Sequence, residues 1–416
     1  MISPQDRLPH YAPAPSPSAV DSICEPPLLE DANRLSDDLS TWRHDLHRIP
    51  ELGCSTPQTS RYIQTKLAEF GLDAAIGPSG EVSTLLGGDT GPCLLLRADI
   101  DALPMVERSG EPWASDNGCA HSCGHDMHAA SLLGAAKLLQ ERSFLLEQFR
   151  GCVKLLFQTG EETLTGAAAA ISDGIMDNPR VEATFAIHVN ARCPLGLLIY
   201  GEDQSAGVWS FRIRLRGRGG HGSSPQKCIN PIVCGIKIHE AIDTFMNSEL
   251  APGTEAVLTI GKFSAGASPN VIPDECVLEG TARAFDTDLL NHIKHRVCEL
   301  VRGVSSVYRV KDEVEDLSLV PPLIVDSALT ENCLSYVGAA EPGLKFRGIQ
   351  HSLGAEDFAR FSALVPSANF IIGAAVEDSD AHYSLHDARV RFDDKALPIC
   401  AAAYASVALG WLSDWR

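Results

Sequence analysis

The chain is short of positive charge, and it lacks paired cysteines and long apolar runs. Its 416 residues include 34 lysines and arginines against 54 aspartates and glutamates, which leaves a formal net charge of −20. Such a surface repels phosphate backbones, so the composition argues against a nucleic-acid partner. No apolar run approaches the roughly eighteen residues needed to cross a bilayer, so we expect no membrane-spanning segment. An anionic substrate would need a local arginine.

The thirteen cysteines are scattered, odd in number and never spaced as C-x-x-C. This pattern is typical of reduced and mostly buried thiols rather than of a disulfide framework. The N-terminal stretch lacks the basic start and apolar core of a secretory signal, and its proline and serine content disfavours helix and sheet. We therefore expect a cytoplasmic protein whose residues 1–34 form a disordered or loosely docked tail.

Four continuous apolar runs are candidates for buried strands. A run that does not alternate suits a strand covered on both faces, as in a parallel sheet, and an amphipathic segment after Asp126 would supply a crossover helix. The four runs predict an α/β domain with a largely parallel sheet, built from residues 35–206 and 318–416. They are CLLLRAD (93–99), CVKLLFQ (152–158), TFAIHV (184–189) and NFIIG (369–373).

The pattern changes between residues 207 and 317. The segment WSFRIRLRGRG alternates, a helix is indicated after Pro231, two strand-like segments follow, and a second helix begins near Asp286. The order β-α-β-β-α, with a last strand near SVYRVKDEV, predicts an antiparallel sheet covered on one side by helices. We therefore expect a ferredoxin-like α+β satellite domain, a lid or dimerisation surface, inserted in the α/β domain.

Polar side chains collect where the predicted parallel strands end. Ligands of open α/β sheets bind at the carboxyl ends of the strands, so these residues are candidates for a site. They are Asp99 and Asp101 after the first run, Glu161 and Glu162 after the second, His188 at the end of the third, and His382 and His386 after the fourth.

The octapeptide HSCGHDMH, residues 121–128, precedes the predicted crossover helix. Carboxylate, imidazole and thiolate are ligands of zinc-like cations, and ligands scattered over several loops favour an open catalytic site. Gly124 permits a tight turn that would aim Cys123 and His125 at one point. Two other interpretations remain for the octapeptide alone: a helix cap formed by Asp126, or a nucleophilic Cys123 with His125 or His128 as its base.

Two consecutive glutamates follow the second run. In an extended segment the carboxylates of Glu161 and Glu162 would point to opposite sides, so one could bind metal while the other transfers protons. Exposed Glu-Glu pairs are commonplace as structural features, but this position after a buried strand favours a function. A thiol nucleophile would leave both glutamates without a role, which argues against that hypothesis.

Eight short motifs, in order over roughly residues 38–416, resemble the M20 family of metallo-aminoacylases and carboxypeptidases. The likeness is to the subgroup of N-acyl-amino-acid amidohydrolases, hippurate hydrolases and auxin-conjugate hydrolases. The chain reads AHSCGHD and FQTGEE where that family usually reads MHACGHD and FQPAEE, so neighbours of the expected ligands differ but the ligands do not. The motifs are RADIDALP, CGHDMH, FQTGEE, AIHV, GRGGHGSSP, NVIP, GTAR and GAEDF.

The resemblance implies a centre of two divalent metal ions, zinc or manganese, with Glu161 as the general base. His386 fits the family's C-terminal motif better than His382, which stays open as the alternative ligand. The implied ligands are Cys123, His125, Glu162, His188 and His386.

In the satellite domain the resemblance implies three further roles. His221 would contact the developing oxyanion, from its own or a partner subunit, and Asn270 and Arg283 would hold the substrate's carboxylate. Taken alone, they would be a loop histidine, a turn asparagine and a surface arginine. A bidentate arginine would provide the local positive charge that an anionic substrate needs.

These features predict a metal-dependent amidohydrolase that cleaves N-acyl amino acids or related conjugates to a carboxylic acid and an amino acid, using metal-activated water. The alternative is a dipeptidase or carboxypeptidase with the same centre. A binding protein without activity is a rival of another class, and the presence of Glu161 argues against it. We expect a small-molecule substrate, no nucleic-acid or membrane partner, and a homodimer through the satellite domain.

Overall fold

The chain divides into two units. The computed structural model describes residues 28–88, 91–201, 203–348, 352–377 and 383–414, without the side chains of 203 and 204. Unit 1 comprises Met1–Gln204, Ile324–Gln350 and Arg360–Arg416, and unit 2 comprises Ser205–Leu323 and His351–Ala359. Residues 318–323 and 352–359 thus group with unit 2, whereas the sequence predicted that they belong to the α/β domain.

Unit 1 is built on an eight-stranded sheet. Its strands are β1 (Ala74–Ile76), β2 (Val82–Gly87), β3 (Cys93–Asp99), β4 (Cys152–Gln158), β5 (Val181–Asn190), β6 (Leu197–Tyr200), β15 (Lys345–Gly348) and β16 (Ser367–Gly373). They lie in the order β1-β2-β4-β3-β5-β16-β6-β15. The central neighbours β4, β3, β5 and β16 run parallel, and β2 is antiparallel to β4. The prediction of an α/β domain with a mainly parallel sheet is confirmed.

Helices cover this sheet, and two of them form much of its core. α4 and α11 pack against each other and against β3. A Cβ on Gly134 of α4 would lie 2.6 Å from Leu39 and 2.9 Å from Ala401, so this glycine lets three helices approach closely. The helices that lie wholly or, for α10, mostly in unit 1 are α1 (Leu28–Arg34), α2 (Ser36–His47), α3 (Pro57–Glu69), α4 (His125–Glu141), α5 (Ser143–Leu146), α6 (Gly166–Ser172), α9 (Ser327–Ala340), α10 (Ala359–Ser362) and α11 (Ala396–Ser413).

Two of these helices correct the sequence analysis. α1 lies within the segment 1–34 that we expected to be a tail, and its Leu28 and Ala32 are fully buried because they pack in the core of unit 1. α11 is long and apolar enough to cross a membrane, contrary to the expectation that no run reaches that length. Of its residues, 89% are buried, because other elements of unit 1 surround the helix.

Unit 2 is built on a four-stranded antiparallel sheet with the strand order β10-β12-β8-β13. Along β8, Trp209, Phe211, Ile213 and Leu215 are fully buried while the intervening residues are more exposed, so one face of the sheet packs on helices. The confirmed satellite fold comprises β8 (Gly207–Arg216), β10 (Ala256–Ala265), β12 (Glu275–Ala284), β13 (Lys311–Val320), α7 (Pro231–Ser248) and α8 (Thr287–Tyr308).

The remaining elements are short. β9 and β11 pair in an antiparallel ribbon within unit 2, and a 3₁₀ turn follows β9. Two further strands lie where the chain passes from one unit to the other. These elements are β7 (Asp203–Ser205), β9 (Gly220–His221), the 3₁₀ turn (Pro225–Lys227), β11 (Val271–Ile272) and β14 (Leu323–Ile324).

Candidate active site

The candidate site of unit 1 forms where parallel strands end. β3 ends at Asp99, β4 is followed by the paired glutamates, and β5 carries His188 near its end. Because β4, β3 and β5 are parallel neighbours, their carboxyl ends lie at one edge of the sheet. Helix α4 begins at the same edge with His125, as the crossover interpretation expected.

The turn into α4 depends on Gly124. Its φ of 87° lies in the left-handed region, which side chains rarely adopt. A Cβ at this position would also lie 2.6 Å from Val189 Cγ2. The turn brings the side chains of Cys123 and His125 together with that of His188. The potential ligand atoms of these three residues lie within 4.8 Å of one another and begin a cluster of donor atoms.

The structure brings together all five residues that were expected as metal ligands. Cys123 Sγ lies 3.6 Å from His188 Nε2 and 3.3 Å from His386 Nε2. Glu162 reaches the same cluster, with Oε2 at 3.6 Å from His386 Nε2 and Oε1 at 3.8 Å from His125 Nε2. The alternative ligand, His382, lies outside the described residues.

Backbone carbonyls set the tautomers of two of these histidines. Nδ1 of His125 lies 2.8 Å from the carbonyl oxygen of Asp101, and Nδ1 of His188 lies 2.7 Å from that of Val189. A carbonyl oxygen only accepts, so each Nδ1 carries a proton, and in the neutral ring each Nε2 keeps its lone pair. This arrangement orients both Nε2 lone pairs as metal-ligating histidines require.

His128, the last histidine of the octapeptide, is engaged elsewhere. Its Nε2 accepts the backbone N–H of Val189 at 2.9 Å, so its Nδ1–H donates to Asp99. Arg97 donates to the other oxygen of Asp99 at 2.8 Å. With its Nε2 lone pair occupied, His128 is not placed to act as a base for Cys123, which removes that form of the thiol hypothesis.

Asp101 holds the two glutamates, a role that the sequence did not reveal. Its carboxylate accepts the backbone N–H groups of Glu161, at 2.9 Å, and Glu162, at 3.2 Å. The glutamates therefore lie in a turn, and the expectation of an extended segment was wrong. Both carboxylates approach His125 Nε2, at 3.9 and 3.8 Å, instead of pointing to opposite sides.

The electrostatics of this cluster fit a cation. Burial alone would lower the pKa of His125, but the Asp99 carboxylate and its neighbours raise it well above the usual value. These carboxylates therefore favour positive charge at Nε2, which a metal ion would supply in place of a proton. His125 Nε2 and Glu162 Oε1 are buried and have no hydrogen-bond partner among the described residues. Burial lowers the pKa of His188 to about 3, which keeps its ring neutral and able to bind metal. Sulfur, nitrogen and carboxylate donors are a suitable set for a borderline divalent ion.

A buried ion network lies behind the first turn of α4. Asp126 accepts hydrogen bonds from Arg43 Nε at 2.9 Å and His47 Nδ1 at 2.8 Å. It makes no capping bond, so the helix-cap interpretation was wrong. Burial would lower the pKa of His47, but Asp126, helped by a bond to Glu107, raises it to about 9.

Unit 2 carries the other three expected site residues. His221 on β9 pairs with Val271 of β11, and the N–H of Gly222 donates to the carbonyl of Asn270 at 2.8 Å. The ribbon therefore brings His221 and Asn270 close in space. Arg283 lies apart from them on β12, where its Nη1 donates to the carbonyl of Leu353 at 2.6 Å. The roles of these residues stay predictions.

Known proteins resemble the chain along most of its length. A family model described as Peptidase family M20/M25/M40 matches residues 95–410. The chain is 33% identical over 361 residues to N-acetyl-L-cysteine deacetylase of Bacillus subtilis (strain 168), covering 85% of this chain and 83% of that protein. It is 31% identical over 394 residues to hippurate hydrolase of Campylobacter jejuni, covering 92% and 99%. The solved Bacillus subtilis YXEP protein, described as a dinuclear metal binding peptidase from M20 family, matches with a TM-score of 0.76 and 27% identity, covering 92% and 99%.

The fold, the donor cluster and these comparisons define a metal-dependent amidohydrolase, so the predicted enzyme class is confirmed. The chain belongs to the peptidase family M20/M25/M40. The resemblance to the subgroup that contains deacetylases and hippurate hydrolases is confirmed as well.

Proposed function

We propose that the enzyme hydrolyses the amide bond of N-acyl amino acids or related conjugates, releasing a carboxylic acid and an amino acid. The observation that carries the proposal is the convergence of Cys123, His125, Glu162, His188 and His386 beside Glu161. N-acetyl-L-cysteine and hippurate, the compounds in the names of two relatives, are both N-acyl amino acids.

Two divalent ions, zinc or manganese, are part of the proposal, and the five converging side chains would hold them. The description of one solved relative as dinuclear supports this number. When bound, such ions lower the pKa of water toward about 7 and polarise a scissile carbonyl. Cys123 would bind as a thiolate although burial raises the pKa of its thiol, so we expect binding to release a proton.

Glu161 acts as the general base in this proposal. Its carboxylate takes one proton from the attacking water and returns it to the nitrogen of the leaving amine as the C–N bond breaks. Asp101 supports this role because it fixes the backbone of Glu161 through a 2.9 Å hydrogen bond. Glu162, held by the other oxygen of Asp101, serves as a ligand.

The proposal also gives the three residues of unit 2 a role toward the substrate. His221, from its own or a partner subunit, donates a hydrogen bond to the developing oxyanion. Asn270 and Arg283 bind the substrate's carboxylate. A homodimer formed through unit 2 and a cytoplasmic location belong to the same proposal, and crosslinking in dilute solution and cell fractionation test them.

A substrate panel tests the function. We expect hydrolysis of N-acetyl and N-benzoyl amino acids, loss of this activity after chelation, and recovery when zinc or manganese is added. Free dipeptides and C-terminally blocked acyl amino acids serve as the comparison substrates. Faster cleavage of dipeptides or of peptide C-termini would replace the proposal with the dipeptidase or carboxypeptidase alternative. An inactive protein that still binds acyl amino acids would support a binding role.

A further inference from the structure

The ring of His221 is held by the residue two positions further along the chain. Its Nδ1 lies 2.7 Å from the hydroxyl oxygen of Ser223, and the backbone N–H of Ser223 donates to the same nitrogen at 3.2 Å. Gly222 lies between them at a close approach of the ribbon, where a Cβ would be 3.0 Å from the carbonyl oxygen of Asn270.

These contacts determine which ring nitrogen carries the proton. A backbone N–H can only donate, so Nδ1 of His221 must be the acceptor. The neutral ring therefore has its proton on Nε2, and the hydroxyl of Ser223 donates to Nδ1 as well. Nε2 makes no hydrogen bond to the described residues of unit 2, so its N–H is available to a ligand.

We propose that Ser223 is a positioning residue that keeps His221 in the tautomer protonated on Nε2. What this does for catalysis rests on the proposed function. A ring that stabilises a developing oxyanion must present an N–H, because the other tautomer would turn a lone pair toward negative charge. Ser223 hydrogen-bonds to the histidine ring, and it acts by preparing that donor before the substrate arrives.

Three substitutions of the exposed Ser223 distinguish the role of its hydroxyl from that of its backbone N–H. Ser223→Thr keeps the hydroxyl, and Ser223→Ala removes it but keeps the backbone N–H. Ser223→Asp introduces a carboxylate that can only accept, and therefore favours a hydrogen bond from a protonated Nδ1. Ser224→Ala is the matched control, because it removes the hydroxyl of the adjacent serine. We expect the threonine variant and the control to behave like the unaltered protein.

Nitrogen-15 spectra of full-length protein labelled at histidine give the direct readout. They are recorded at alkaline pH, where imidazoles are neutral, and the His221 signals are assigned with His221→Gln. We expect the unaltered ring to be protonated on Nε2, the alanine variant to mix the tautomers, and the aspartate variant to shift the proton toward Nδ1. A ring protonated mainly on Nδ1 in the unaltered protein, or a population unchanged by all three substitutions, would overturn the inference.

Kinetics then test the consequence. Because an oxyanion donor acts in the transition state, kcat should fall while KM stays nearly constant. We expect a loss of about 3- to 10-fold for Ser223→Ala and roughly 10²- to 10³-fold for Ser223→Asp, similar to loss of one oxyanion donor. A fall in kcat without a change of tautomer would contradict the positioning role. The expected spectra in a protein without amidase activity would uphold the tautomer assignment and refute the proposed function.

Discussion

Of the six candidate residues of unit 1, three are buried and only His386 is exposed, whereas two of the three in unit 2 are exposed. In unit 1, Cys123, His125 and Glu161 are buried. In unit 2, His221 and Asn270 are exposed on a short ribbon. Buried carboxylates and imidazoles without a counter-ion cost folding free energy, whereas exposed ones stay hydrated. The comparison favours a bound ion in the donor cluster of unit 1, whereas His221 and Asn270 of unit 2 are exposed without such a cost.

The largest effect on turnover should come from substitutions that distinguish the roles of Glu161 and Glu162 in unit 1. We expect Glu161→Gln to lower turnover by roughly 10²- to 10⁴-fold with metal content unchanged, because the amide cannot accept the proton. Glu162→Gln should instead lower the metal content. The measurements are steady-state kinetics and elemental analysis of the same samples. Metal loss in the first variant and metal retention in the second would reverse the two roles.

The buried network behind α4 should matter for stability. Arg43 is 1% exposed and bonds to Asp126 and Asp394, so Arg43→Met would leave these carboxylates without their arginine. We expect a loss of about 3–5 kcal/mol in the free energy of unfolding, measured by urea denaturation.

The matched control lies at the end of the same helix. Arg48 forms an exposed ion pair with Asp45 at 3.2 Å, so Arg48→Met should cost no more than about 1 kcal/mol. Similar losses in the Arg43 and Arg48 variants would show that burial does not distinguish the two ion pairs.

The buried network should also make the free energy of unfolding depend on pH, through the charge of His47. The pKa of His47 is raised from 6.5 to about 9, so its contribution to stability is fully present below about pH 6.5 and is lost as pH rises through 9. A shift of this size corresponds to about 3 kcal/mol. We expect the stability difference between the unaltered protein and His47→Gln to shrink over this range. A difference that is constant from pH 6 to 10 would rule out a charged His47.

The smallest effect is expected for a substitution in unit 2, at Arg283. Arg283→Ala should reduce kcat/KM by about 10-fold or more for acyl amino acids with a free carboxylate, because a charge-assisted contact is lost. The matching C-terminal amides should be affected far less, and Arg283→Lys should fall between. Arg283 already bonds to the carbonyl of Leu353. Equal losses on acids and amides would therefore assign it a structural role.

The sequence predicted the parts of unit 1 that follow from local patterns. Continuous apolar runs indicated the parallel strands, and the polar residues at their ends indicated the donors that the structure brings together. Gly124 was informative because a left-handed turn next to Cys123 and His125 has a sequence signal. Each of these signals is contained in a few neighbouring residues of the sequence.

Long-range pairings among buried polar groups could not be predicted in this way. Arg43 bonds to Asp126, which lies 83 residues later in the chain, and no local pattern marks the partner. The turn at Glu161 and Glu162 was missed because the carboxylate that shapes it, Asp101, lies 60 residues earlier. Ser223 was within reach of sequence reasoning, since it lies two residues from His221, but its contact to Nδ1 depends on the backbone conformation.

The most direct test of the central claim is the metal content per chain of purified protein, measured by elemental analysis for the unaltered enzyme and for Cys123→Ala. Cys123 is the decisive residue because its sulfur contacts both His188 and His386 in the donor cluster. We expect about two divalent ions per chain in the unaltered enzyme. We expect the variant to lose metal and hydrolysis together. Stoichiometric metal in Cys123→Ala with undiminished activity, or an unaltered enzyme that hydrolyses its substrate without bound metal, would show that the donor cluster is not a catalytic metal centre.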